Sequence, residues 1–547
     1  MYIGSLQSED LATWLSDFEN TNKRKLRVLH IGNIASNGFL NAKFQRRLGI
    51  EADVLCHDYY DVMAYPEWEE LEINNDYKQN ILPHFSERDI GNYQRPRWFV
   101  QGPLSLCCAY LFARNNGQIE LANDLWDQMN SFLFSEPLSE PTLDLPKFTS
   151  SFSNKMLFFE KKVKKIIQIC YYFFKQIPGL ANLFRSSHSI ISSSYSSKTI
   201  TNIEIDATTA SASSLCLFVN QLNRQYALAF PDRRFHITTN ELMPFYNQKE
   251  QWCSMFEHYD IIQCYATTPM YGLLFSNKPY IGFEHGTLRT FTSDDSFINA
   301  LTALAYRQAG HVFITNGDCL GYAQKLGVKN YSPMIHPIDI EQHRLYDIKK
   351  ISKIRSFYTC DILLFCPLRH DWDIKGTYLH IKALPLIIKQ LKSYRVRLVL
   401  CNWGTQVEQS KELIKELKCE NYVSWATPMC RQKMITYLQA ADVVLDQIAL
   451  PHFGSTAPQS LAAGTPVIMS YEPESTNWLV NEPAPILSAF DEYEIARQVV
   501  KALDRDWREE FRCIAKNWID THHSMDRLIQ QQLNVYKNIM DGQSCLN

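Results

Sequence analysis

The sequence predicts an α/β protein with two parallel-sheet domains in tandem and a helix at its C-terminus. Two observations predict this class. The chain of 547 residues is longer than one hydrophobic core normally accommodates. Short apolar runs alternate with amphipathic helices, and this rhythm occurs twice, on either side of a polar stretch at 343–357.

The first domain opens with a strand, a helix and a second strand. The run LRVLHIG (26–32) predicts a buried strand, NIASNGF a loop, residues at about 39–48 a helix, and EADVLC another strand. Such a unit implies parallel pairing. Further along, CLFVNQLNRQYALAF predicts a helix, and YDIIQCYA, KPYIGFEHG and HVFITNG predict strands.

The second domain repeats the pattern. Its predicted strands are DILLFCP, RVRLVLCNWG, NYVSWA, DVVLDQ and TPVIMS, with helices between them such as SKELIKELK and CRQKMITYLQAA. We therefore assign 1–345 to the first domain, 346–525 to the second and 526–547 to a C-terminal helix. Ligands of parallel sheets bind at the carboxyl ends of the strands, so a cleft between the domains is the predicted binding site.

Composition narrows the class of protein. The net charge of −3 argues against a protein that coats nucleic acid. The 15 cysteines form no C-x-x-C pattern, which fits a reducing cytosol. The N-terminus lacks the features of a signal peptide, and no apolar run is long enough to span a membrane. We therefore expect a cytoplasmic protein.

Residues 141–200 interrupt the rhythm of the first domain. A basic stretch at about 155–185 mixes lysines with aromatic residues, and eight of the twelve residues in 186–197 are serine, which is typical of a linker. One interpretation is an interfacial helix that contacts anionic lipid at the inner face of the cell membrane. The other is a helix that packs on its own domain or on a partner protein.

The loop after the first strand of the second domain carries cations. Arg369 and Lys375 lie between the strand DILLF and the amphipathic run that follows Gly376. Arginine grips two phosphate oxygens, lysine adds a point charge, and a helix start contributes partial positive charge. Glycine lets the backbone approach closely. On its own the loop could equally be a solvated surface segment.

A second loop of the same sheet also suits an anion. In ALPHFGSTAPQSLAAGTPVIMS (449–470), Gly454, Ser455 and Thr456 lie where a helix starts, and Gln459 lies in its first turn. Free N–H groups and hydroxyls at such a start bind anions. An ordinary helix followed by a strand explains Gly464 and Pro466. It does not explain why two anion-suited loops occur in one sheet.

These motifs resemble the retaining GT-B glycosyltransferases of glycosyltransferase family 4. The family pattern of Arg and Lys-Gly is matched by Arg369 and Lys375-Gly376, and its second pattern by Phe453-Gly454, Gln459 and Ala-Ala-Gly-Thr-Pro at 462–466. The resemblance covers roughly 26–60 and 255–540. It implies two Rossmann-like domains facing across a cleft, with Phe453, Gly454, Ser455, Thr456 and Gln459 binding the donor.

The chain departs from the family at two positions. Where the family has two glutamates, this chain has Pro451 and Gln459. The resemblance implies that the residue at 459 contacts the ribose of the nucleotide, and glutamine can still exchange hydrogen bonds there without charge assistance. Proline at 451 removes the usual contact to the donor sugar. The chain then uses another group, binds an unusual donor, or has lost activity.

The first domain adds candidates for the acceptor side. Glu284, His285 and Arg289 follow a predicted strand, and a histidine there could hydrogen-bond the sugar or the acceptor. The alternative is a structural histidine. Residues Gly32, Asn33, Asn37 and Gly38 predict a flexible polar loop for the acceptor or the diphosphate; the loop lacks G-x-G-x-x-G and is not a dinucleotide site.

We predict no metal and no cofactor. Asp371-x-Asp373 and Asp504-x-Asp506 match the D-x-D metal motif of another glycosyltransferase fold, but so short a pattern arises by chance about once or twice in a chain of this size. The first match lies within the Arg369 loop, where a metal would duplicate the cations. The co-substrate is instead a nucleotide-diphosphate sugar.

Three functional hypotheses follow. The first is an enzyme that moves a sugar, with retention, from a nucleotide-diphosphate sugar to a glycan or glycolipid acceptor in surface polysaccharide assembly. Arg369, Lys375 and His285 are its predicted catalytic residues. The second is a non-catalytic relative that binds sugar nucleotide or scaffolds a membrane assembly, suggested by Pro451 and Gln459. The third is a nucleotide-sugar epimerase.

Overall fold

Two parallel β-sheets organise the part of the chain that the structure describes. The structure is a computed structural model, and it describes residues 8–57, 62–74, 85, 87–134, 202–290, 296–451 and 454–542. Within these residues the sheets have seven and six strands, and each pairs its strands in parallel throughout. This arrangement confirms the predicted fold class of two parallel-sheet α/β domains.

The N-terminal sheet has the order β3-β2-β1-β4-β5-β6-β7. Its strands are β1 Arg27–Ile31, β2 Glu51–Cys56, β3 Phe99–Gln101, β4 Ile261–Tyr265, β5 Tyr280–Phe283, β6 His311–Ile314 and β7 Tyr331–Pro333. Strands β1, β2, β4, β5 and β6 confirm the predictions for the first domain. The short edge strands β3 and β7 were not predicted.

The C-terminal sheet has the order β10-β9-β8-β11-β12-β13. Its strands are β8 Ile362–Cys366, β9 Val396–Cys401, β10 Val423–Ala426, β11 Val443–Leu445, β12 Val467–Met469 and β13 Leu487–Ser488. The five predicted strands are all present. Strand β13 at the edge has two residues and was not predicted.

Helices cover the sheets and connect the strands. They are α1 Ser8–Asn22, α2 Asn37–Arg47, α3 Pro66–Glu70, α4 Glu87–Ile90, α5 Leu104–Asn115, α6 Ile119–Phe134, α7 Asn202–Ala229, α8 Thr239–Tyr246, α9 Lys249–Phe256, α10 Pro269–Phe275, α11 Phe297–Gln308, α12 Cys319–Leu326, α13 Ile340–Arg344, α14 Ile348–Tyr358, α15 Thr377–Gln390, α16 Val407–Glu416, α17 Arg431–Ala440, α18 Thr456–Ala462, α19 Pro473–Thr476, α20 Glu492–Ala502, α21 Arg505–His522 and α22 Met525–Met540. The polar stretch at 343–357, expected as a boundary, is mostly helix α14. Helix α22 confirms the predicted helical C-terminus.

The chain divides into two compact units. One comprises 1–138 and 222–547 and contains both sheets; the other comprises 139–221. The predicted insert at 141–200, including the basic stretch at 155–185, lies outside the residues that the structure describes.

Helix α22 packs against the N-terminal sheet through a buried polar network. Gln532 on α22 donates to Asn41 on α2 at 2.8 Å and accepts from Gln45 at 2.5 Å. Tyr536 donates its hydroxyl to Gln263 on β4 at 2.7 Å. Buried polar groups are tolerated only when they are paired. These hydrogen bonds form in only one position of α22 along the sheet, so they specify how the helix docks. Helix α22 is therefore fixed to the N-terminal domain.

Many buried histidines are held neutral. Burial lowers the pKa of each below its usual value of 6.5, to about 4 for His30 and His380. Nine buried or partly buried residues share this behaviour: His30, His258, His285, His311, His336, His343, His370, His380 and His523. Because the unfolded chain protonates these groups first, acid favours unfolding.

We predict that the melting temperature falls as the pH drops below about 6.5, the usual pKa of these histidines. Each neutral histidine contributes up to ~1.4 kcal/mol per pH unit in the window between its folded and unfolded pKa values. Thermal unfolding followed by circular dichroism from pH 7 to pH 5 checks this. In His30→Gln the pH dependence becomes shallower, whereas His236→Gln, at an exposed position, leaves it unchanged. A flat profile in the wild type contradicts the prediction.

Candidate functional site

The loop at 367–376 is anchored to the neighbouring strand connection. The N–H of His370 donates to the Trp403 carbonyl at 2.8 Å, and the His370 carbonyl accepts from Gln406 at 3.1 Å. The two segments touch at Gly404, which has φ +106°, and a Cβ there would lie 2.5 Å from the His370 nitrogen. The loop is therefore a held segment between β8 and α15, and not a solvated surface loop.

Gly376 brings this loop against the end of β11. Its φ is +67°, and a Cβ would lie 2.8 Å from the nitrogen of Ala449. The carbonyl of the preceding Lys375 accepts from Ile448 at 2.9 Å. Glycine is thus required by both backbone conformation and space, and helix α15 begins directly after it.

Lys375 lies partly buried beside two residues that follow β11. Its Nζ donates to Oε1 of Gln447 at 2.6 Å. Burial lowers the pKa of Lys375 and the buried carboxylate of Asp446 opposes that shift, while burial raises the pKa of Asp446 itself. The ammonium is therefore stabilised only in part, which leaves it suited to an additional anion.

Two arginines lie close enough to Lys375 to lower its pKa further. Arg369 belongs to the same loop, is 44% exposed and pairs with Asp371 at 3.1 Å. Arg289 follows β5 of the other sheet and pairs with Asp318 at 2.5 and 2.7 Å. The structure thus places Arg369 and, from the N-terminal sheet, Arg289 within electrostatic range of Lys375 at the carboxyl ends of the strands.

The turn before α18 lies near Asp446, the carboxylate that faces Lys375. Ser455 is the N-cap of α18, which begins at Thr456. The N–H of Ala457 lies close enough to the carboxylate of Asp446 to lower its pKa, and that carboxylate also faces Lys375. The start of α18 and the ammonium group are therefore neighbours. Gly454 and Pro451 are both partly exposed, and Phe453 lies outside the described residues.

Gln459 is buried and already paired. Its Oε1 accepts from Nη1 of Arg431, the first residue of α17, at 2.7 Å. Nε of Arg431 in turn lies 3.1 and 3.2 Å from the carboxylate oxygens of Glu69 on α3. Among the described residues, the amide nitrogen of Gln459 makes no hydrogen bond. A ligand at this position would meet a donor and not an acceptor.

A segment of the N-terminal domain covers this part of the second domain. Cys430, next to Arg431, is buried in an apolar cluster with Val62, Tyr65, Trp68 and Ile73. Its thiol also lies 3.2 Å from the Ile73 nitrogen. Residues 62–74 therefore hold Glu69 over the start of α17.

Three residues of the site were not predicted: Glu69, Arg431 and Gln447. Gln447 ends the run DVVLDQ, so its place at a strand end was a usable signal. Glu69 and Arg431 are 362 positions apart, and neither belongs to a local motif. No pattern in a single sequence identifies such a pair.

His285 is partly buried and neutral. Burial holds its pKa well below the usual value, and its ring stacks on Phe283 and His336 at 5.2 and 5.7 Å between centroids. Its Nε2 has no hydrogen-bond partner within the described residues. A neutral imidazole can accept or donate one hydrogen bond, so this nitrogen is available to a ligand.

Glu284 lies beneath the turn that carries Arg289. Its carboxylate accepts from the N–H of Gly286 and from Asn316 at 3.4 Å, and burial raises its pKa. Gly286 has φ +88°, and a Cβ there would collide with the guanidinium of Arg289. The structure gives Glu284 the role of shaping this turn.

The asparagines of the glycine loop after β1 make hydrogen bonds within the protein. Asn33 donates to the Ala64 carbonyl at 2.7 Å and accepts from the Phe39 N–H at 2.8 Å. Asn37 donates to the Ile34 carbonyl, and its Oδ1 accepts from Nδ1 of His336 at 3.2 Å. A Cβ on Gly38 would lie 2.4 Å from the carbonyl oxygen of Gly32. Both asparagines are buried and engaged within the protein.

The two D-x-D matches have local partners. Asp371 pairs with Arg369 and accepts from Ile374 at 3.1 Å. Asp504 caps α21, accepting from Trp507 at 2.9 Å. In the portion of the chain that is described, no three His, Cys, Asp or Glu side chains cluster as metal ligands would. Nor does that portion contain a helix long and apolar enough to cross a bilayer.

Known proteins resemble the second domain most clearly. Residues 347–505 match the family model of glycosyl transferases group 1. Over 100 residues the chain is 30% identical to the D-inositol 3-phosphate glycosyltransferase of Corynebacterium urealyticum, a stretch covering 17% of this chain and 24% of that relative. The chain therefore spans about a quarter of this relative's length.

Two solved structures are similar at low identity. HepE from Anabaena, in complex with UDP, is 16% identical with a TM-score of 0.46, over 54% of this chain and 84% of that chain. A glycosyltransferase from Rickettsia africae is 12% identical with a TM-score of 0.46, over 94% of this chain and 99% of that chain.

We predict that Arg431→Met lowers the free energy of unfolding by about 3 kcal/mol, because it leaves the buried Glu69 carboxylate without its partner. Adding Glu69→Gln removes the unpaired charge and recovers part of the loss. The matched control Arg497→Met, which breaks an exposed pair with Glu494, changes stability by less than about 1 kcal/mol. Urea unfolding measures all three. If Arg431→Met and Arg497→Met both have equally small effects, Arg431 is not an essential partner of the buried Glu69 carboxylate, and the prediction is contradicted.

Proposed function

We propose that this protein is a glycosyltransferase that moves a sugar from a nucleotide-diphosphate sugar to a hydroxyl acceptor. The observation that carries the proposal is the meeting of Lys375, Arg369 and Arg289 at the carboxyl ends of the strands. A group of three cations fits a diphosphate, whose charge increases as the bond to the sugar breaks. The match of 347–505 to group 1 glycosyl transferases supports the same class.

Each cation has a distinct place in the proposed reaction. Arg369, an exposed cation of the site, contacts the diphosphate through two N–H groups. Lys375, beside Asp446 and Gln447, adds a positive charge. Gly376 lets the backbone approach the ligand, and Gly454, Ser455 and Thr456 contribute donors from the turn before α18. As the bond between the anomeric carbon and the diphosphate oxygen breaks, its electrons leave with the diphosphate, which these groups stabilise.

The remaining predicted residues serve the nucleotide and the acceptor. Gln459, fixed by Arg431, donates its amide hydrogen to a ribose hydroxyl, and Phe453 contributes to the donor pocket. The free Nε2 of His285 hydrogen-bonds the sugar or the acceptor. The backbone at Gly32 and Gly38, held by Asn33 and Asn37, lines the acceptor side, and Glu284 positions Arg289. Arg289 joins the diphosphate from the opposite domain and excludes water.

The finer features are part of the proposal. By its resemblance the enzyme works with retention and without a metal or cofactor, and acts in the cytoplasm on surface polysaccharide or glycolipid. The basic stretch at 155–185 is proposed to contact the inner face of the membrane. A non-catalytic sugar-nucleotide-binding scaffold is the second candidate, favoured by Pro451 and by the occupied carbonyl of Gln459. An epimerase would convert the donor with no acceptor present.

We predict that Arg369→Ala combined with Lys375→Ala abolishes affinity for nucleoside diphosphates and lowers turnover about a hundredfold or more, because both cations are lost from the diphosphate site. Calorimetric titration with uridine and guanosine diphosphate, with circular dichroism for folding, checks this. The matched control, Lys389→Ala with Lys392→Ala, removes two exposed cations from the far end of α15 and keeps affinity.

Unchanged nucleotide affinity in the folded Arg369/Lys375 variant overturns the assignment of the loop. A transfer assay with a panel of nucleotide sugars and acceptor extracts then separates the two candidates. Nucleotide binding without turnover on any acceptor favours the scaffold, and transfer to an acceptor favours the enzyme.

A further inference from the structure

A second basic site lies at the other end of the strands of the C-terminal sheet, away from the candidate active site. A cavity of ≈ 410 Å³ is lined by residues that include Tyr346, Arg355, Asp442, Arg505, Arg508 and Arg512. Asp442 precedes β11, and Thr465, also in the lining, precedes β12, so the cavity opens at the amino ends of these strands. The candidate active site lies at their carboxyl ends. The two sites are therefore separate.

Three of the arginines form a stripe on one helix. They are Arg505, Arg508 and Arg512, at the first, fourth and eighth positions of α21. This spacing puts their side chains on one face of the helix. Arg355 on α14 lines the same cavity. Cations in the first turn of a helix oppose its dipole, so helix stability alone does not favour this arrangement.

Carboxylates neutralise the arginines only in part. Asp442 accepts from both Arg355 at 2.9 Å and Arg508 at 3.1 Å, so one carboxylate serves two guanidinium groups. Arg505 approaches Glu509 at 3.5 Å and is 89% exposed, which makes this pair weak. Arg512 has neither a hydrogen bond nor an ion pair among the described residues. Four cations face two carboxylates in the lining, which leaves two positive charges uncompensated.

The cavity also has a shape that admits a ligand. Gly464 in its wall has φ +71°, and a Cβ there would lie 3.2 Å from the hydroxyl of Tyr346. That hydroxyl is fixed by a 2.5 Å hydrogen bond to the Ala463 carbonyl. Beside Tyr346 in the sequence are two exposed apolar residues, Leu345 at 74% and Ile348 at 75%.

We propose that this cavity binds a phosphate-bearing anion through Arg505 and Arg512, with Arg355 and Arg508 completing the positive surround. Guanidinium groups match phosphate oxygens in geometry and charge. A soluble phosphate ester and a phospholipid headgroup present the same group. With a headgroup, the exposed Leu345 and Ile348 beside Tyr346 would be available to the acyl region. The site gives the protein a second anion-binding function, independent of the diphosphate in the cleft.

The test uses the full chain and two probes. Calorimetric titration with inorganic phosphate reports the free anion, and sedimentation with phosphatidylcholine vesicles, with and without phosphatidic acid, reports the headgroup. The variant is Arg505→Gln with Arg512→Gln, since neither arginine has a buried partner and the fold is retained. Its matched control is Arg497→Gln with Lys516→Gln, which removes two exposed cations outside the cavity.

We expect saturable binding of at least one probe, weakened about tenfold or more in the Arg505/Arg512 variant and unchanged in the control. Binding of phosphate identifies a soluble ligand, and binding only of vesicles with phosphatidic acid identifies a headgroup. Equal binding by the variant and the control, or no binding of either probe to the wild type, overturns the proposal.

Discussion

The partly buried ammonium group of Lys375 is the constraint on which the candidate site depends. Taking a charge out of water is costly, and the neighbouring Arg289 and Arg369 increase the cost. The hydrogen bond to Gln447 and the charge of Asp446 offset only part of this free-energy cost. The held loop at 367–376 and the close contact at Gly376 keep Lys375 in this position. A bound diphosphate would supply the missing negative charge.

Contacts between the two sheet domains assemble the rest of the site. Arg289 reaches Lys375 from the end of β5, and Glu69 fixes Arg431 and, through it, Gln459. The polar network of α22 ties the end of the chain to the N-terminal sheet. Because these partners come from both domains, relative movement of the domains would change the charge around the donor position.

Local patterns predicted the parts of the site that are local in space. The strand-to-helix junctions at 362–377 and 454–456 are short, and their glycines mark the turns, so their positions were predictable. The partners of Gln459 were not, because Glu69 and Arg431 meet only after folding. The glycine loop was expected to be flexible, yet Asn33 and Asn37 are engaged within the protein, since polar side chains can stabilise a loop as well as a ligand. Strands of two or three residues carry too little periodicity to be recognised.

Proton uptake on nucleotide binding tests the central claim most directly. At a pH just below the usual lysine pKa of 10.5, a lysine with a lowered pKa is protonated less than an ordinary lysine, and a bound diphosphate restores its proton. Titration with a nucleoside diphosphate in buffers of different ionisation enthalpy therefore shows proton uptake by the wild type. Lys375→Arg shows none, because a guanidinium stays charged at this pH. Binding to the wild type without uptake, or equal uptake by Lys375→Arg, would contradict the account.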